Sequence, residues 1–204
     1  MNECYLCGKK LIKKVNWTKD HIPPDCFFPP GTKSMITVPC CYEHNQEYKL
    51  LDEKIRNHMA FLVIIRSIPV EKGRQAVLNS PKLARDFLSH TKELPTLKGE
   101  DGKPRISYVF DKTEIDKWLI RIVKGIYFWE NRKRIAEDAI FRPEVIYDIM
   151  PQSSASFPME KGLERRPYFI YGVTKVEQNP AKELWGLVFY DKLLFIVEVI
   201  FPNS

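Results

Sequence analysis

All five cysteines of this 204-residue chain fall within its first fifth, at positions 4, 7, 26, 40 and 41, and a histidine follows at 44. An odd count crowded at one end, behind a start that lacks a basic segment leading into an apolar run, argues for metal ligation rather than a disulfide framework. Cys4-x-x-Cys7-Gly8 reads as a tight turn: two thiolates three positions apart can share one ion, and Gly8 permits the φ > 0 such turns often need. Cys41-x-x-His44 repeats that spacing, and the two pairs together give a closed tetrahedral S₃N zinc site. Cys40 rivals Cys41, because Cys40-x-x-x-His44 also reaches; Cys41 is preferred for the repeated spacing. Cys26 fits no ligand pair and is expected as a buried thiol. A redox role for Cys-x-x-Cys is disfavoured because no βαβ pattern surrounds it. Such an ion would replace the core that so small a module cannot build.

Charge narrows the choice of partner. The formal net charge is +6 and the pI about 9.0, which suits a polyphosphate. With 44% hydrophobic and 28% charged residues the chain is globular in composition. Its longest apolar runs, Phe61–Ile65 and Leu193–Val197, are far short of the ~20 residues a spanning helix needs. A soluble, cytoplasmic protein with no membrane partner is expected.

The pattern along the chain reads as α+β. Residues 1–19 suggest a metal knuckle and a short hairpin with Leu11, Ile12, Val15 and Trp17 as its apolar side chains. Lys9, Lys10, Lys13 and Lys14 beside them are either a solvated face or a phosphate-contacting patch. Six prolines and glycines across 20–39 predict irregular backbone, with Phe27 and Phe28 pinning it to the core and one strand at Met35–Val38 that ends at Pro39. From Cys41 the period changes: Tyr48, Leu51, Ile55, Met59 and Val63 mark one helical face, running to about Arg66. Residues 70–150 read as mainly helical, with a start at Ser80-Pro81 and a loop over 95–107. A capping box at Asp111–Glu114 leads into the stripe Ile115, Leu119, Ile122, Ile126 and Trp129, expected as a core face rather than a platform for bases. Residues 151–160 read as a linker, and Tyr168–Val173, Leu184–Tyr190 and Leu193–Phe201 as antiparallel β hairpins with a turn at Asp191-Lys192. The expected division is 1–66 and 67–204.

Between the two half-sites lies Asp20-His21-Ile22-Pro23-Pro24, and Asn45 follows the last ligand directly. As an ordered set with Phe28-Pro29-Pro30, Val38-Pro39-Cys40-Cys41-x-x-His44-Asn45 and Leu51-Asp52-Glu53, these residues resemble the HNH endonuclease superfamily, the ββα-metal or His-Me finger nucleases, over about residues 1–58. The resemblance implies an N-terminal zinc-stapled ββα-metal module that hydrolyses nucleic acid, most simply double-stranded DNA. It maps the general base to His21, and a catalytic Mg²⁺ or Mn²⁺ to Asp20 and Asn45, with Asp52 as third ligand and His58 as the alternative; in some members the asparagine orients the base instead. His44 stands where zinc-bearing relatives usually have cysteine. The chemistry suits the residue types. A neutral imidazole with pKa near ~6.5 can take a proton from water, and carboxylate and amide oxygens suit a hard cation. A second outcome of the same resemblance is a zinc-dependent nucleic-acid-binding or protein-interaction module without activity. Residues 60–204 match no family pattern. They could serve a homodimer, a partner protein or a nucleic acid, with Lys124, Arg132, Lys133, Arg134, Arg165 and Arg166 as phosphate contacts or simply as solvated charge.

Overall fold

A computed structural model describes residues 3–33, 35–67, 97–98, 104–105, 111–146, 161–165, 168–191 and 193–202. The elements are β1 (Trp17–Ile22), β2 (Ile36–Cys41), α1 (Tyr42–Ser67), β3 (Leu97–Lys98), β4 (Pro104–Arg105), α2 (Lys112–Asn131), β5 (Ile140–Ile146), β6 (Lys161–Arg165), β7 (Phe169–Val176), β8 (Asn179–Phe189) and β9 (Leu193–Ile200). The fold is mixed α and β, with antiparallel sheets. The chain divides into two units: Met1–Arg56 with Asp116–Ser204, and Asn57–Ile115. The second contains the end of α1, the start of α2 and the short β3–β4 pairing, which stands where a loop is expected over 95–107. The Ser80-Pro81 helix start and the 151–160 linker lie outside the described residues.

In the first unit the chain opens on a turn closed by the amide of Gly8 donating to Cys4 O at 2.8 Å, with Gly8 at φ 72°. Leu11 is buried, whereas Ile12 and Val15 are exposed in the turn before β1. β1 and β2 then pair antiparallel, Trp17 opposite Cys41 through Ile22 opposite Ile36. Two expectations change here. Asp20-His21 lies on a strand, because the prolines act only from Pro23 onward. And β2 runs through Pro39 to Cys41 instead of stopping. The carbonyl of Pro39 accepts from the Tyr5 amide at 3.0 Å, on the side away from β1. In an antiparallel pair the N–H and C=O of one residue point the same way, so the N–H that Pro39 lacks faces away too and costs no ladder bond.

α1 follows β2 without a break, and in this unit it buries Tyr48, Asp52 and Ile55. α2 is capped by Asp111, whose carboxylate accepts from the Thr113 amide at 2.9 Å. Of the expected stripe, Ile115, Leu119, Ile122 and Ile126 are buried and Trp129 is half-buried. Trp118, Arg121, Val123 and Phe128 are buried as well, so α2 is covered on more than one side. One side meets the β1–β2 hairpin. Gly125 permits the approach: a Cβ built there would lie 2.6 Å from Ile22 Cγ1. The other side meets a five-stranded antiparallel sheet ordered β5-β9-β8-β7-β6. Phe27, Trp118 and Phe189 form an aromatic joint at that boundary, with ring centroids 5.2–5.6 Å apart. Phe28 packs edge-on to Tyr168. Tyr171 adds a polar tie, its hydroxyl donating to Glu130 at 2.8 Å.

The last three strands of the sheet match the β-rich C-terminal pattern, and Tyr190 and Asp191 turn the β8–β9 hairpin with φ of 56° and 55°. β5 stands where helix is expected, and β6 falls beyond the expected linker, in the part of the chain read as β. β5 is an edge strand, which is why it tolerates Pro143.

Candidate metal centre and a buried ionic cluster

The turn after β2 sets the first feature. Cys41 ends β2 and His44 lies in the first turn of α1, so a three-residue step bends the His44 ring back toward the strand end. The Cys4–Cys7 turn is tied to the same place by the Tyr5–Pro39 backbone bond. The result is a cluster of Cys4, Cys7, Cys41 and His44 whose ligand atoms all lie within 4.8 Å of one another. His44 Nδ1 is 3.8 Å from Cys4 Sγ and 3.0 Å from Cys41 Sγ. Three soft thiolates and an imidazole converging this closely could hold a metal ion. The same four residues were singled out by spacing. Cys40 is not one of the four. Its thiol hydrogen-bonds Cys4, which is the main reason the Cys4 thiol is held down at about 3. Burial instead pushes Cys41 up to about 12. Cys26 stands apart, half-buried rather than buried, its thiol pushed up to about 11 by burial.

The second feature escapes any local reading. Asp20 and Asp52, both buried, meet around one guanidinium, that of Arg121 from α2. Arg121 Nη2 donates to Asp20 Oδ1 at 2.7 Å and Nη1 to Asp52 Oδ1 at 2.5 Å. Nε is shared between Asp20 Oδ2 and the Tyr5 hydroxyl, each at 3.2 Å. Tyr5 in turn donates to Asp20 Oδ2 at 2.7 Å, and Trp118 Nε1 to Asp52 Oδ1 at 3.0 Å. The Tyr48 ring lies 4.5 Å from the guanidinium carbon. The knuckle, β1, α1 and α2 are thus joined through one cation.

The geometry follows from two periods. Asp20 and Ile22 share the face of β1 that meets Arg121 and Gly125 of α2. Two strand steps advance about 6.6 Å and four helix steps about 6 Å, so the two pairs stay in register. Asp52 is raised to about 6 by burial, which outweighs the opposing pull of Arg121. Burial likewise holds the Tyr5 hydroxyl well above its ordinary value, with the Asp20 charge adding to it. Arg121 keeps its charge; its two carboxylates and Tyr5 outweigh the cost of burying it.

His21 is not in this cluster. Adjacent residues on a strand point to opposite faces, so His21 shares its side with Lys19 and pairs across the ladder with exposed Thr37. It is half-buried. Asn45 is half-buried one residue after His44, and His58 is buried in the other unit. The structure therefore brings Asp20 to Asp52 but gives both an arginine as partner. Arg121 lies 101 residues beyond Asp20, and nothing in the sequence around either residue points to the other. Comparisons with protein-family models, with curated proteins and with solved structures give no match. Among the described residues no helix is long and apolar enough to cross a membrane.

Proposed function

We propose that this chain is an HNH-type endonuclease whose Cys4, Cys7, Cys41 and His44 hold a structural zinc and whose His21 is the general base for hydrolysis of DNA phosphodiester bonds. The observation that carries the reading is the four-residue cluster at the junction of an antiparallel strand pair and a helix. A tetrahedral zinc with bonds of about 2.3 Å to sulfur and about 2.0 Å to nitrogen sets sulfur–nitrogen separations of about 3.5 Å. The separations at His44, 3.8 and 3.0 Å, bracket that value. In this reading the zinc fixes β1, which carries His21, against the helix that carries Asn45, and does no chemistry itself. Half-exposed near the end of β1, His21 is placed where its imidazole could take a proton from water. A hard divalent ion such as Mg²⁺ or Mn²⁺, when bound, would neutralise charge growing on the phosphate and the leaving 3′-oxygen.

A specific observation favours a second reading, a zinc-dependent nucleic-acid-binding or protein-interaction module without hydrolysis. The two carboxylates assigned to the hard ion are committed to Arg121 and closed to solvent. An ion at Asp20 would have to displace a guanidinium that makes two bonds to it. Plasmid nicking decides between them. Cleavage that needs Mg²⁺ or Mn²⁺, stops with chelator and is lost in His21→Ala supports the nuclease. Binding of DNA without cleavage in any metal supports the module. Cleavage unchanged in His21→Ala overturns the assignment of the base.

A further inference from the structure

A cavity of about 330 Å³ opens beside the metal knuckle, lined by Tyr5, Leu6 and Cys7 on one side and by Lys124 and residues 134–137 on the other. That is at the small end of the ~300–1,000 Å³ usual for ligand clefts. Two cations share it. Lys124 is half-buried with its Nζ 5.2 Å from the centre of the Phe141 ring, and burial together with Arg134 lowers its ammonium below the ordinary lysine value. Arg134 places Nη1 where a side chain on Gly8 would stand and donates from Nη2 to Leu6 O at 3.4 Å. Its Nε is buried and, among the described residues, donates to nothing. Against these stands one carboxylate of the lining, Glu137, which bonds Arg134 Nη2 at 3.1 Å but is itself 83% exposed. An ion pair with so exposed a partner is worth little.

We propose that this cavity is a phosphate-binding site, with Lys124 and Arg134 as its cationic walls. Two cations packed together with a spare N–H call for an oxyanion, and a phosphate group offers both the charge and the acceptors. A bound phosphate would also offset the desolvation of the half-buried ammonium of Lys124. The group could come from a nucleic-acid backbone or from a small phosphate; the first source rests on the nuclease or binding-module reading above, and the second does not. The competing role for these cations is to offset the thiolates of the metal cluster, since Cys7 lines the same space.

The experiment uses the full chain and three probes at low salt: a labelled DNA duplex by fluorescence anisotropy, inorganic phosphate and pyrophosphate by calorimetry. Lys124→Gln is the main variant because it removes the ammonium that lies over the Phe141 ring and keeps a side chain of similar length. Arg134→Gln is the second, with metal content measured for both. The expected result is weaker binding of at least one probe by about 5–10-fold in Lys124→Gln with metal content unchanged, and for DNA a salt slope smaller by about one. Loss for DNA alone identifies the backbone as the source. Loss for inorganic phosphate or pyrophosphate with no DNA binding identifies a small phosphate, and then the site stands while the nucleic-acid reading falls. Unchanged binding of every probe in both variants overturns the site, as does loss of metal in Lys124→Gln with phosphate and DNA binding intact. Nicking that persists while both variants bind as the parent does sinks the site and leaves the nuclease standing.

Discussion

Replacing Arg121 with methionine tests the buried cluster most severely. The change keeps a long unbranched side chain and removes one charge, leaving Asp20 and Asp52 buried without their cation, held only by the Tyr5 hydroxyl and Trp118 Nε1. At an effective dielectric near 20 and a separation near 4 Å, each attraction is worth about 4 kcal/mol before desolvation is subtracted. Breaking a buried pair by removing one partner costs about 3–5 kcal/mol net. Typical domain stability is about 5–15 kcal/mol, so the variant should be marginal at neutral pH. The pH dependence carries the sharper signature. In the parent, Asp52 is raised from an ordinary 3.8 to about 6. The folded state therefore binds the proton more tightly than the unfolded one, and stability falls as pH climbs through that interval, by about 3 kcal/mol at most. Without the guanidinium that opposes its burial, Asp52 rises further, so the variant keeps losing stability at pH values where the parent has levelled off. Urea melts followed by tryptophan fluorescence, with Trp118 as a reporter in the cluster, should show a small difference between variant and parent at pH 5 and a large one at pH 8. A loss under about 1 kcal/mol, equal at both pH values, would refute the ionic account of the cluster.

Four further outcomes follow from the same contacts. Asp20→Asn should cost more than Asp52→Asn at pH 8, by about 1–2 kcal/mol, because Asp20 accepts three charge-supporting bonds and Asp52 is ionised against its burial; equal losses in urea melts would count against this. Gly125→Val should destabilise by about 1–3 kcal/mol through the clash with Ile22, although valine is the better helix former, and a thermal melt at or above the parent's would contradict the close approach. Cys7→Ser should lower metal content and thermal stability together; if metal analysis finds a full complement, Cys7 is not a ligand. His21→Ala should leave the melt within about 0.5 kcal/mol of the parent while abolishing nicking, since the ring is half-exposed and outside the Arg121 cluster.

Much of this was legible in local pattern, and what was not had a common cause. The four-residue cluster was readable because ligand spacing is a local constraint: Cys4 to Cys7 and Cys41 to His44 each close one turn. The buried positions Tyr48, Ile55 and Met59 of α1 and the last three strands were readable because period survives in sequence, although Leu51 is half-buried and the side chain of Val63 lies outside the described residues. Pro39 misled because a missing donor matters only on the side that faces a neighbour, and side is not written in the chain. β5 was hidden for a related reason, since Pro143 is harmless only on an edge. The partner of Asp20 and Asp52 was out of reach altogether. Both acids resemble ligands for a hard ion when read beside His21 and Asn45, and nothing near them announces an arginine on a distant helix.

The measurement that bears most directly on the account is zinc K-edge absorption spectroscopy, with stoichiometry, on the folded chain purified without chelator. One ion per chain, bound by three sulfurs at about 2.3 Å and one nitrogen at about 2.0 Å, is the predicted result. A folded, monodisperse protein carrying no stoichiometric metal, or an ion surrounded by oxygen, would contradict it.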